Sequence, residues 1–317
     1  MRILIVGNGI HVNKRILPAL KEIKKIDKIT VLDRNVKKSK NLSEHIQLVS
    51  YSKYLKNQSH SDLTIIATSP DSHLQNCLEF YEQSKVVLIE KPITTDSKLL
   101  FNKKFSDLIK SGIVNESLMY LHHPLWFEVA KILKNKKIIK IYTEFSVPHA
   151  QQESFRYIKT KGGGSLNDQG IYPISLASSI SKQSIDINNI AIDKQTNYEV
   201  DLGGSLELLL DNKIAFYGKW GLGKEYKNYL NLVSEDETTY NINFFYSKPD
   251  EYISIVNKQK NNYTEELKIG HHNQFKIMYE EAIDKKFNGF HYSTYESLTK
   301  RYSLYEKVKE YCERPTV

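Results

Sequence analysis

Features of secreted, fibrous and membrane-spanning proteins are almost absent from this sequence of 317 residues. It has two cysteines, Cys77 and Cys312, which cannot form a disulfide framework. Its apolar runs, such as 63–67 and 86–89, are of strand length and far shorter than the roughly 20 residues of a bilayer-spanning helix. The first residues enter a strand pattern directly, without the cationic start and apolar stretch of a signal peptide. We therefore expect a reduced cytoplasmic protein with no membrane partner.

Arginine is also scarce, although the chain is basic. The formal net charge is +8, and only six of the 45 lysines and arginines are arginine. Bidentate recognition of phosphates and bases relies on arginine, and the lysines are spread along the chain rather than gathered in one patch. We therefore expect a solvated basic surface and no nucleic-acid partner.

The order of predicted elements divides the chain into two domains. Over 1–120, short apolar strands alternate with amphipathic helices, which predicts a Rossmann-type α/β domain with a doubly wound parallel sheet. Over 121–317, alternating polar and apolar residues and a hairpin turn predict an α+β substrate-binding and oligomerisation domain with an open, mainly antiparallel sheet. The strands expected are 2–6, 29–32, 63–68, 86–89, 140–147, 206–210, 214–220, 228–233, 239–245 and 252–256, and two helices close the chain.

A glycine-containing turn, Gly7-Asn8-Gly9-Ile10-His11-Val12, follows the first strand and opens a helix. In a dinucleotide-binding unit the first glycine makes the tight turn, and the second lets the backbone approach the pyrophosphate at the helix N-terminus. We expect Gly7, Gly9, Ile10 and His11 at the cofactor. Val12 stands where a third glycine is usual, which implies looser packing between helix and strand there.

The second strand is followed by an acid and a base. An acid at the position of Asp33 binds the hydroxyls of the adenine ribose. Arg34, with Lys37 and Lys38 after it, would instead stack on the adenine or hold a 2′-phosphate. The pattern leaves NAD and NADP both open as cofactors, with NAD favoured.

Two further strands end in polar residues. In doubly wound sheets, ligands lie beyond the carboxyl ends of the strands. A lysine directly after a buried strand, followed by a proline that fixes the backbone, therefore indicates a functional residue rather than ordinary surface. The residues expected at the cofactor from these two strand ends are Thr68, Ser69, Pro70, His73, Glu90 and Lys91.

Three glycines at 162–164 precede a helical stretch and let the backbone pass close to a ligand. Asp168 and Tyr172 are four residues apart, so they share one face of that helix. A tyrosine is a poor acid–base group by itself, but a nearby lysine cation favours the phenolate. We expect Lys91 to supply that cation, and Asp168 to accept a hydrogen bond from the substrate or to orient Lys91.

These four segments, in this order, resemble the Gfo/Idh/MocA oxidoreductases, and the resemblance covers nearly the whole chain. It implies Lys91, Asp168 and Tyr172 as catalytic residues, with Tyr172 as the acid–base group of a tyrosine-bearing branch. It also implies that His122 and Arg156 lie near the substrate. The substrate-binding set implied is thus Lys91, His122, Arg156, Asp168 and Tyr172.

The resemblance implies hydride transfer between a nicotinamide and a sugar carbon that bears a hydroxyl or a ketone. Stretches 220–230 and 245–250 resemble members linked to surface-polysaccharide and sugar-nucleotide biosynthesis, so we expect a nucleotide-linked sugar as substrate. A free sugar or cyclic polyol is the alternative substrate, and a non-catalytic regulator that senses NAD(P) or sugar is the alternative function. We expect a homodimer or homotetramer formed through the open sheet. No metal site is expected, because the histidine pairs at 122–123 and 271–272 lack ligand spacing.

Overall fold

The computed structural model describes residues 1–36, 40–249, 251–284 and 294–314, so Lys37, Lys38 and Asp250 lie outside the described residues. This part of the chain forms two compact units. The first is Met1–Leu118 with Asn273–Tyr295, and the second is Met119–His272 with Glu296–Val317. Within the described ranges, no helix combines the length and the apolar character needed to cross a membrane.

The first unit contains a seven-stranded sheet in which six strands are parallel. The strands are β1 (Arg2–Val6), β2 (Lys28–Asp33), β3 (Lys40–Asn41), β4 (Ile46–Ser50), β5 (Leu63–Ile66), β6 (Val87–Glu90) and β7 (Val114–Ser117). Their order is β3-β4-β2-β1-β5-β6-β7, and only the short β3 is antiparallel. The chain starts in the middle and moves first to one side and then to the other, so the carboxyl ends of β1, β2, β5 and β6 share one edge. This is the Rossmann topology that the sequence predicts.

The helices begin where the apolar spacing changes from period 2 to period 3.6. Those of the described residues are α1 (Leu17–Lys21), α2 (Tyr51–Lys56), α3 (His73–Phe80), α4 (Lys103–Lys110), α5 (Pro124–Asn135), α6 (Ile171–Ile180), α7 (Gln274–Asp284) and α8 (Tyr295–Glu313). Short turns of other helical types precede α1 and α6.

Helix α7 belongs to the first unit, whereas the sequence alone placed it in the second domain. It packs against α1. The side-chain amide of Asn273 donates to Glu22 at 3.1 Å, and Lys25 pairs with Asp284. These contacts join residues about 250 positions apart, so local patterns give no sign of them.

The second unit contains an eight-stranded open sheet. Its strands are β8 (Ile138–Val147), β9 (Ile185–Lys194), β10 (Asp201–Leu210), β11 (Ile214–Leu222), β12 (Lys227–Ser234), β13 (Thr239–Asn243), β14 (Ile253–Lys260) and β15 (Tyr263–His271). The order is β15-β14-β13-β12-β8-β11-β10-β9, and every pairing except β8 with β11 is antiparallel. Helix α6 covers β8 and β11. The predicted fold class, a Rossmann unit plus an open and mainly antiparallel sheet, is confirmed.

Five strands, β3, β4, β7, β9 and β15, are missing from the strands expected from the sequence, and two of them show why. The strand β7 is buried, but it consists largely of Asn115, Glu116 and Ser117, whose polar side chains hide it from a search for apolar runs. The strand β15 is an edge strand whose side chains are almost all exposed, so it carries no apolar face. Its place is set by the ladder with β14 rather than by its composition.

Candidate active site

The glycine turn after β1 has the geometry of a dinucleotide-binding loop. Gly7 has a φ of +114°, and a Cβ on it would lie 2.5 Å from the carbonyl oxygen of Ala67, so only glycine fits there. Gly9 is the opposite case, because nothing lies within 4 Å of the position of its Cβ. The backbone at Gly9 therefore faces open space at the start of a helix, where this kind of turn binds phosphate. Ile10 and His11 follow it and are both exposed.

Val12, which stands where a third glycine is usual, is completely buried. The turn Val12–Ile16 is π-helical and leads directly into α1. A π-helical turn holds more residues than an α-helical one and is often found at functional sites. The helix thus begins with a widened turn at the position of the missing glycine.

Asp33 ends β2 beside the glycine turn and is held on both carboxylate oxygens. Oδ2 accepts a hydrogen bond from Nδ2 of Asn8 at 2.9 Å, and Oδ1 accepts one from the backbone amide of Asn35 at 2.8 Å. Asn13 in turn donates to Oδ1 of Asn8 at 3.1 Å. Arg34, the neighbour of Asp33, is exposed. The acid is therefore fixed at the mouth of the glycine turn, and Arg34 is accessible at the same corner.

The loop after β5 is ordered by its own hydroxyl groups. Oγ1 of Thr68 accepts hydrogen bonds from Oγ of Ser72 at 2.8 Å and from Nδ2 of Asn76 at 3.2 Å. Thr68 and Ser69 are half-buried at the carboxyl edge of the sheet, and Pro70 is buried. The predicted cofactor residues of this loop thus lie at the expected edge, in a fixed arrangement.

His73 joins two loops of the carboxyl edge. It is 1% exposed, its Nδ1 lies 2.9 Å from the carbonyl oxygen of Pro92, and its Nε2 lies 3.2 Å from that of Thr68. Burial lowers the pKa of His73, so the ring is neutral and donates to one of these two carbonyls. Both ring nitrogens of His73 contact backbone carbonyls, one in the loop after β5 and one in the loop after β6, so His73 links these two loops.

The loop after β6 is anchored by buried carboxylates. Glu90 is 8% exposed, and its Oε1 lies 3.6 Å from Nε2 of His11. The backbone amide of Ile93 donates to Oε1 of Glu116, a fully buried side chain on β7, at 2.9 Å. Lys91 lies between these two fixed points and is half-buried. The structure therefore places Lys91 on a rigid loop at the carboxyl edge.

In the second unit, Arg156 and Asp168 form an ion pair. Nε of Arg156 donates to Oδ2 of Asp168, which also accepts from Nε2 of Gln169 at 2.6 Å. The side chain of Asp168 is 12% exposed and that of Arg156 36% exposed. The negative charge of Asp168 raises the pKa of Arg156. Two residues that the sequence implicates in substrate binding are thus in direct contact, at the π-helical turn 166–170 before α6.

Tyr172 lies in the first turn of α6 within a cluster of aromatic rings. Its ring is 4.9 Å from that of Phe145, 5.3 Å from Tyr246 and 6.0 Å from Tyr120, measured between centroids. The Tyr172 hydroxyl donates to Sδ of Met119 at 3.6 Å. A thioether is a weak acceptor, so the hydrogen bond from Tyr172 to Met119 is a weak one.

The remaining predicted substrate residue, His122, lies in the 3₁₀ turn Met119–His122 and is 2% exposed. Its neighbour His123 begins α5, where Nδ1 accepts from the amide of Leu125 at 3.0 Å. His123 packs edge-on against His272 with 5.6 Å between the rings. In the part of the chain that the structure describes, no three His, Cys, Asp or Glu side chains come together to hold a metal ion.

Each unit gathers its own share of the predicted site residues. The first brings to one sheet edge Gly7, Gly9, Ile10, His11, Asp33, Arg34, Thr68, Ser69, Pro70, Glu90 and Lys91, and the second brings together Arg156, Asp168 and Tyr172. Sequence reasoning missed Asn8 as the partner of Asp33, Glu116 as the anchor of the loop after Lys91, and Met119 as the acceptor for Tyr172. An asparagine inside the glycine turn was a usable signal. A glutamate within β7 and a methionine in the turn after it were not.

The first unit fits a dinucleotide. The forced glycine at Gly7, the open space at Gly9 and the fixed acid at Asp33 are the three features that such a ligand requires. A Rossmann unit of this kind, joined to a second unit with an acid–tyrosine pair, defines a class of dinucleotide-dependent oxidoreductases. Residues 1–102 match the family model described as an oxidoreductase family with an NAD-binding Rossmann fold, Gfo/Idh/MocA. The match covers three of the four motifs on which the resemblance was predicted, and over these residues the resemblance is confirmed.

Relatives of known activity and structure extend the likeness to the second unit. The chain is 27% identical over 195 residues to the dTDP-3,4-didehydro-2,6-dideoxy-α-D-glucose 3-reductase of Actinomadura kijaniata, a match that covers 60% of this chain and 58% of that protein. A protein of the same name from Saccharopolyspora spinosa is 22% identical over 275 residues, which cover 85% of this chain and 82% of the relative. Among solved structures, the 3-ketoreductase KijD10 from Actinomadura kijaniata, in complex with NADP and TDP-benzene, has a TM-score of 0.85 at 23% identity. That alignment covers 98% of this chain and 97% of KijD10 and shows a shared fold.

Proposed function

We propose that the chain is an NAD(P)-dependent reductase of a ketone on a nucleotide-linked sugar. The observation that carries this proposal is the position of Tyr172, which lies one helical turn after Asp168, the partner of Arg156 in an ion pair. A ketone oxygen that gains negative charge needs a proton donor, and the sugar that bears the ketone needs a fixed acceptor for one of its hydroxyls. Tyr172 and Asp168 are groups of these two kinds.

The nucleotide-linked sugar is proposed from the relatives. Two of them, which match this chain at 27% and 22% identity, are named as 3-reductases of a dTDP-linked dideoxy sugar. The solved relative KijD10 holds TDP-benzene. We propose a substrate of the same chemical class, a nucleoside-diphosphate keto-hexose, used in making surface polysaccharide. Free sugars and cyclic polyols are expected to be poor substrates.

Each proposed catalytic residue has a separate role. Tyr172 donates its proton to the ketone oxygen during reduction. Lys91 stabilises negative charge on that oxygen and on the tyrosine, because an ammonium group favours both anions. Asp168, kept in place by Arg156, accepts a hydrogen bond from a hydroxyl of the sugar. His122 is proposed as a further contact to the substrate.

The dinucleotide would be held by the first unit and supplies the hydride from its nicotinamide ring. The amides after Gly7 and Gly9 would bind its pyrophosphate, and the loops 68–70 and 90–91 would border its nicotinamide half. Asp33 would accept hydrogen bonds from the ribose hydroxyls of the adenosine. The 2′-phosphate of NADP would lie next to this carboxylate and be repelled by it, so we propose that NAD is preferred over NADP. Arg34 is the residue that would bind the phosphate if NADP is used.

Assembly is proposed through the outer face of the open sheet. Tyr142 of β8 and Tyr217 of β11 stack there with 4.9 Å between their rings, and Tyr142 is 36% exposed. Glu144 and Lys219 lie on the same two strands, so this face carries charged as well as aromatic side chains. Tyrosine-rich mixed surfaces are typical of protein interfaces. We propose a homodimer or homotetramer in the cytoplasm, to be checked by sedimentation and by cell fractionation.

The proposal is tested by a substrate panel. The purified protein is mixed with NADH or NADPH and with dTDP-linked keto-hexoses, free keto-hexoses or inosose, and loss of nicotinamide absorbance is followed. We expect oxidation with the nucleotide-linked sugars at a kcat/KM at least about 100-fold above that of free sugars, since the nucleotide supplies binding energy. Equal rates with free sugars would contradict the proposed substrate. Cofactor binding without any oxidation would favour the regulator instead.

A further inference from the structure

Asp201, at the start of β10, is a buried carboxylate that none of the roles above uses. It is 9% exposed. Its Oδ2 accepts hydrogen bonds from Oγ of Ser165 at 2.5 Å and from the backbone amide of Leu166 at 2.7 Å. These two donors stand at the beginning of the turn 166–170, which carries Asp168 and leads into Tyr172. One carboxylate thus holds the first residues of the proposed catalytic segment.

The glycines before this turn fit the same arrangement. Gly164 has a φ of +109°, and a Cβ on it would lie 2.5 Å from Oδ1 of Asp201. A Cβ on Gly163 would lie 2.5 Å and 2.6 Å from the carbonyl oxygens of Phe155 and Arg156. The amide of Gly164 donates to the carbonyl of Arg156 at 2.8 Å. Two of the three glycines are therefore required by protein packing, whereas the sequence suggested close approach to a ligand.

The far side of the turn is fixed as well. The hydroxyl of Tyr305 on α8 donates to Oδ1 of Asn167 at 2.6 Å. Gly170 lies against the Trp220 ring, which is 3.1 Å from the position of its Cβ. The turn is thus held by the sheet below it and by α8 beside it, and Asp201 is the carboxyl group of this set.

We infer that Asp201 is a positioning residue of the proposed active site, which fixes the turn that presents Asp168 and Tyr172. The inference rests on the proposed function. Its physical reason is that the two hydrogen bonds set the rotation and the height of the first turn. A proton donor displaced by about 1 Å loses roughly 100-fold in rate. Asp201 acts through Asp168 and Tyr172 and does not itself touch substrate.

The test compares Asp201→Ala, which removes the oxygen that accepts both hydrogen bonds, with Asp193→Ala. Asp193 lies on the neighbouring strand β9, where it pairs with Lys224 at 2.6 Å on the surface, so it controls for loss of a sheet carboxylate. Ser165→Ala, which removes one of the two donors, replaces Asp201→Ala if that variant does not fold. Amide hydrogen exchange, cofactor binding and steady-state kinetics are measured on each full-length variant.

In Asp201→Ala we expect faster exchange confined to residues 164–172, a kcat lowered about 10- to 100-fold, and a cofactor Kd within about twofold of wild type. Asp193→Ala should match the wild type in all three. A folded Asp201→Ala variant with unchanged exchange at 164–172, or with faster local exchange but unchanged kcat, would overturn the inference. If the wild type itself reduces no keto-sugar, the proposed function fails and the inference with it, whatever the variants show.

Discussion

The side-chain amide of Asn8, inside the glycine turn, donates a hydrogen bond to the carboxylate of Asp33 at the end of the next strand. The turn that would bind the pyrophosphate and the acid that would bind the ribose are thereby one connected unit. Asp33 is also held by the amide of Asn35. A fixed carboxylate selects among ribose groups more strictly than a mobile one, because it cannot move away from an added phosphate.

This connection predicts the cofactor preference. Asp33→Ser should raise the affinity for NADPH about 10-fold or more and lower the affinity for NADH. A carboxylate next to the 2′-phosphate would cost roughly 1.4 kcal/mol or more of binding free energy. Titration of nicotinamide fluorescence measures both. Arg34→Ala is the matched variant and should weaken NADPH only. Tighter NADPH than NADH binding in the wild type would contradict the preference for NAD.

The glycine turn offers a pair of variants with opposite effects. Gly9→Ala should keep the melting temperature of the wild type, since nothing lies near the position of its Cβ. It should bind the cofactor at least about 10-fold more weakly, because the added methyl group would occupy the space of the phosphate. Gly7→Ala should be destabilised by roughly 3 kcal/mol or more, because its Cβ meets the Ala67 carbonyl and its φ is +114°. Thermal unfolding and the same fluorescence titration separate the two.

A control for the strain at Gly7 is Gly112, which also has a positive φ, +73°, but has nothing within 4 Å of its Cβ. Gly112→Ala should cost only about 1 kcal/mol and leave cofactor binding unchanged. If Gly9→Ala binds cofactor as tightly as the wild type, the glycine turn is not the phosphate site.

The ion pair between Arg156 and Asp168 predicts a loss of kcat/KM in variants of Arg156, even where the positive charge is kept. Arg156→Lys keeps the positive charge but lacks the Nε–H that donates to Asp168, so kcat/KM should fall about 10-fold or more. Lys159→Ala, a change at an exposed neighbour, should have little effect. Both variants are compared with the wild type by steady-state kinetics on the best keto-sugar nucleotide. Wild-type kinetics for Arg156→Lys would show that this ion pair does not contribute to catalysis.

How much of this follows from the sequence depends on whether a residue acts locally. The glycine turn, Asp33, Lys91 and the pair Asp168 and Tyr172 stand at the ends of recognisable strands or at helical spacing, so their places were predictable. Asp201 is different, because its role depends on a contact with Ser165, 36 residues earlier in the chain. No local spacing encodes such a contact. The π-helical turn at Val12 is a further feature that nothing in the sequence marks.

Asp211 predicts how stability depends on pH in the second unit. It sits in the hairpin turn between β10 and β11 with a φ of +51°. Burial opposes its ionisation, but hydrogen bonds from the amides of Gln183 and Lys182 and from the Ser181 hydroxyl outweigh this and lower the pKa of Asp211 to about 2. The unfolded chain has a value of about 3.9. The charged form therefore stabilises the fold above about pH 4, and this is lost as the pH falls towards 2.

Asp211→Asn removes the charge while keeping a residue that tolerates left-handed backbone. It should lower the free energy of unfolding by about 1 kcal/mol at pH 7, and the difference from wild type should shrink below pH 4. Urea unfolding at several pH values measures this. A difference that stays constant from pH 7 to pH 3 would show that the carboxylate charge is not what stabilises the turn.

The central claim is that Tyr172 and Lys91 assist the reduction of a ketone on a nucleotide-linked sugar, for which NADH or NADPH would supply the hydride. Its most direct test is single-turnover oxidation of bound NADH or NADPH by a dTDP-linked 3-keto-hexose, in the wild type, Tyr172→Phe and Lys91→Ala. We predict oxidation by the wild type, and rates lowered about 100-fold or more in both variants, with cofactor binding kept in Tyr172→Phe. Wild-type rates in both variants, or no oxidation by a wild type that binds the cofactor, would contradict it.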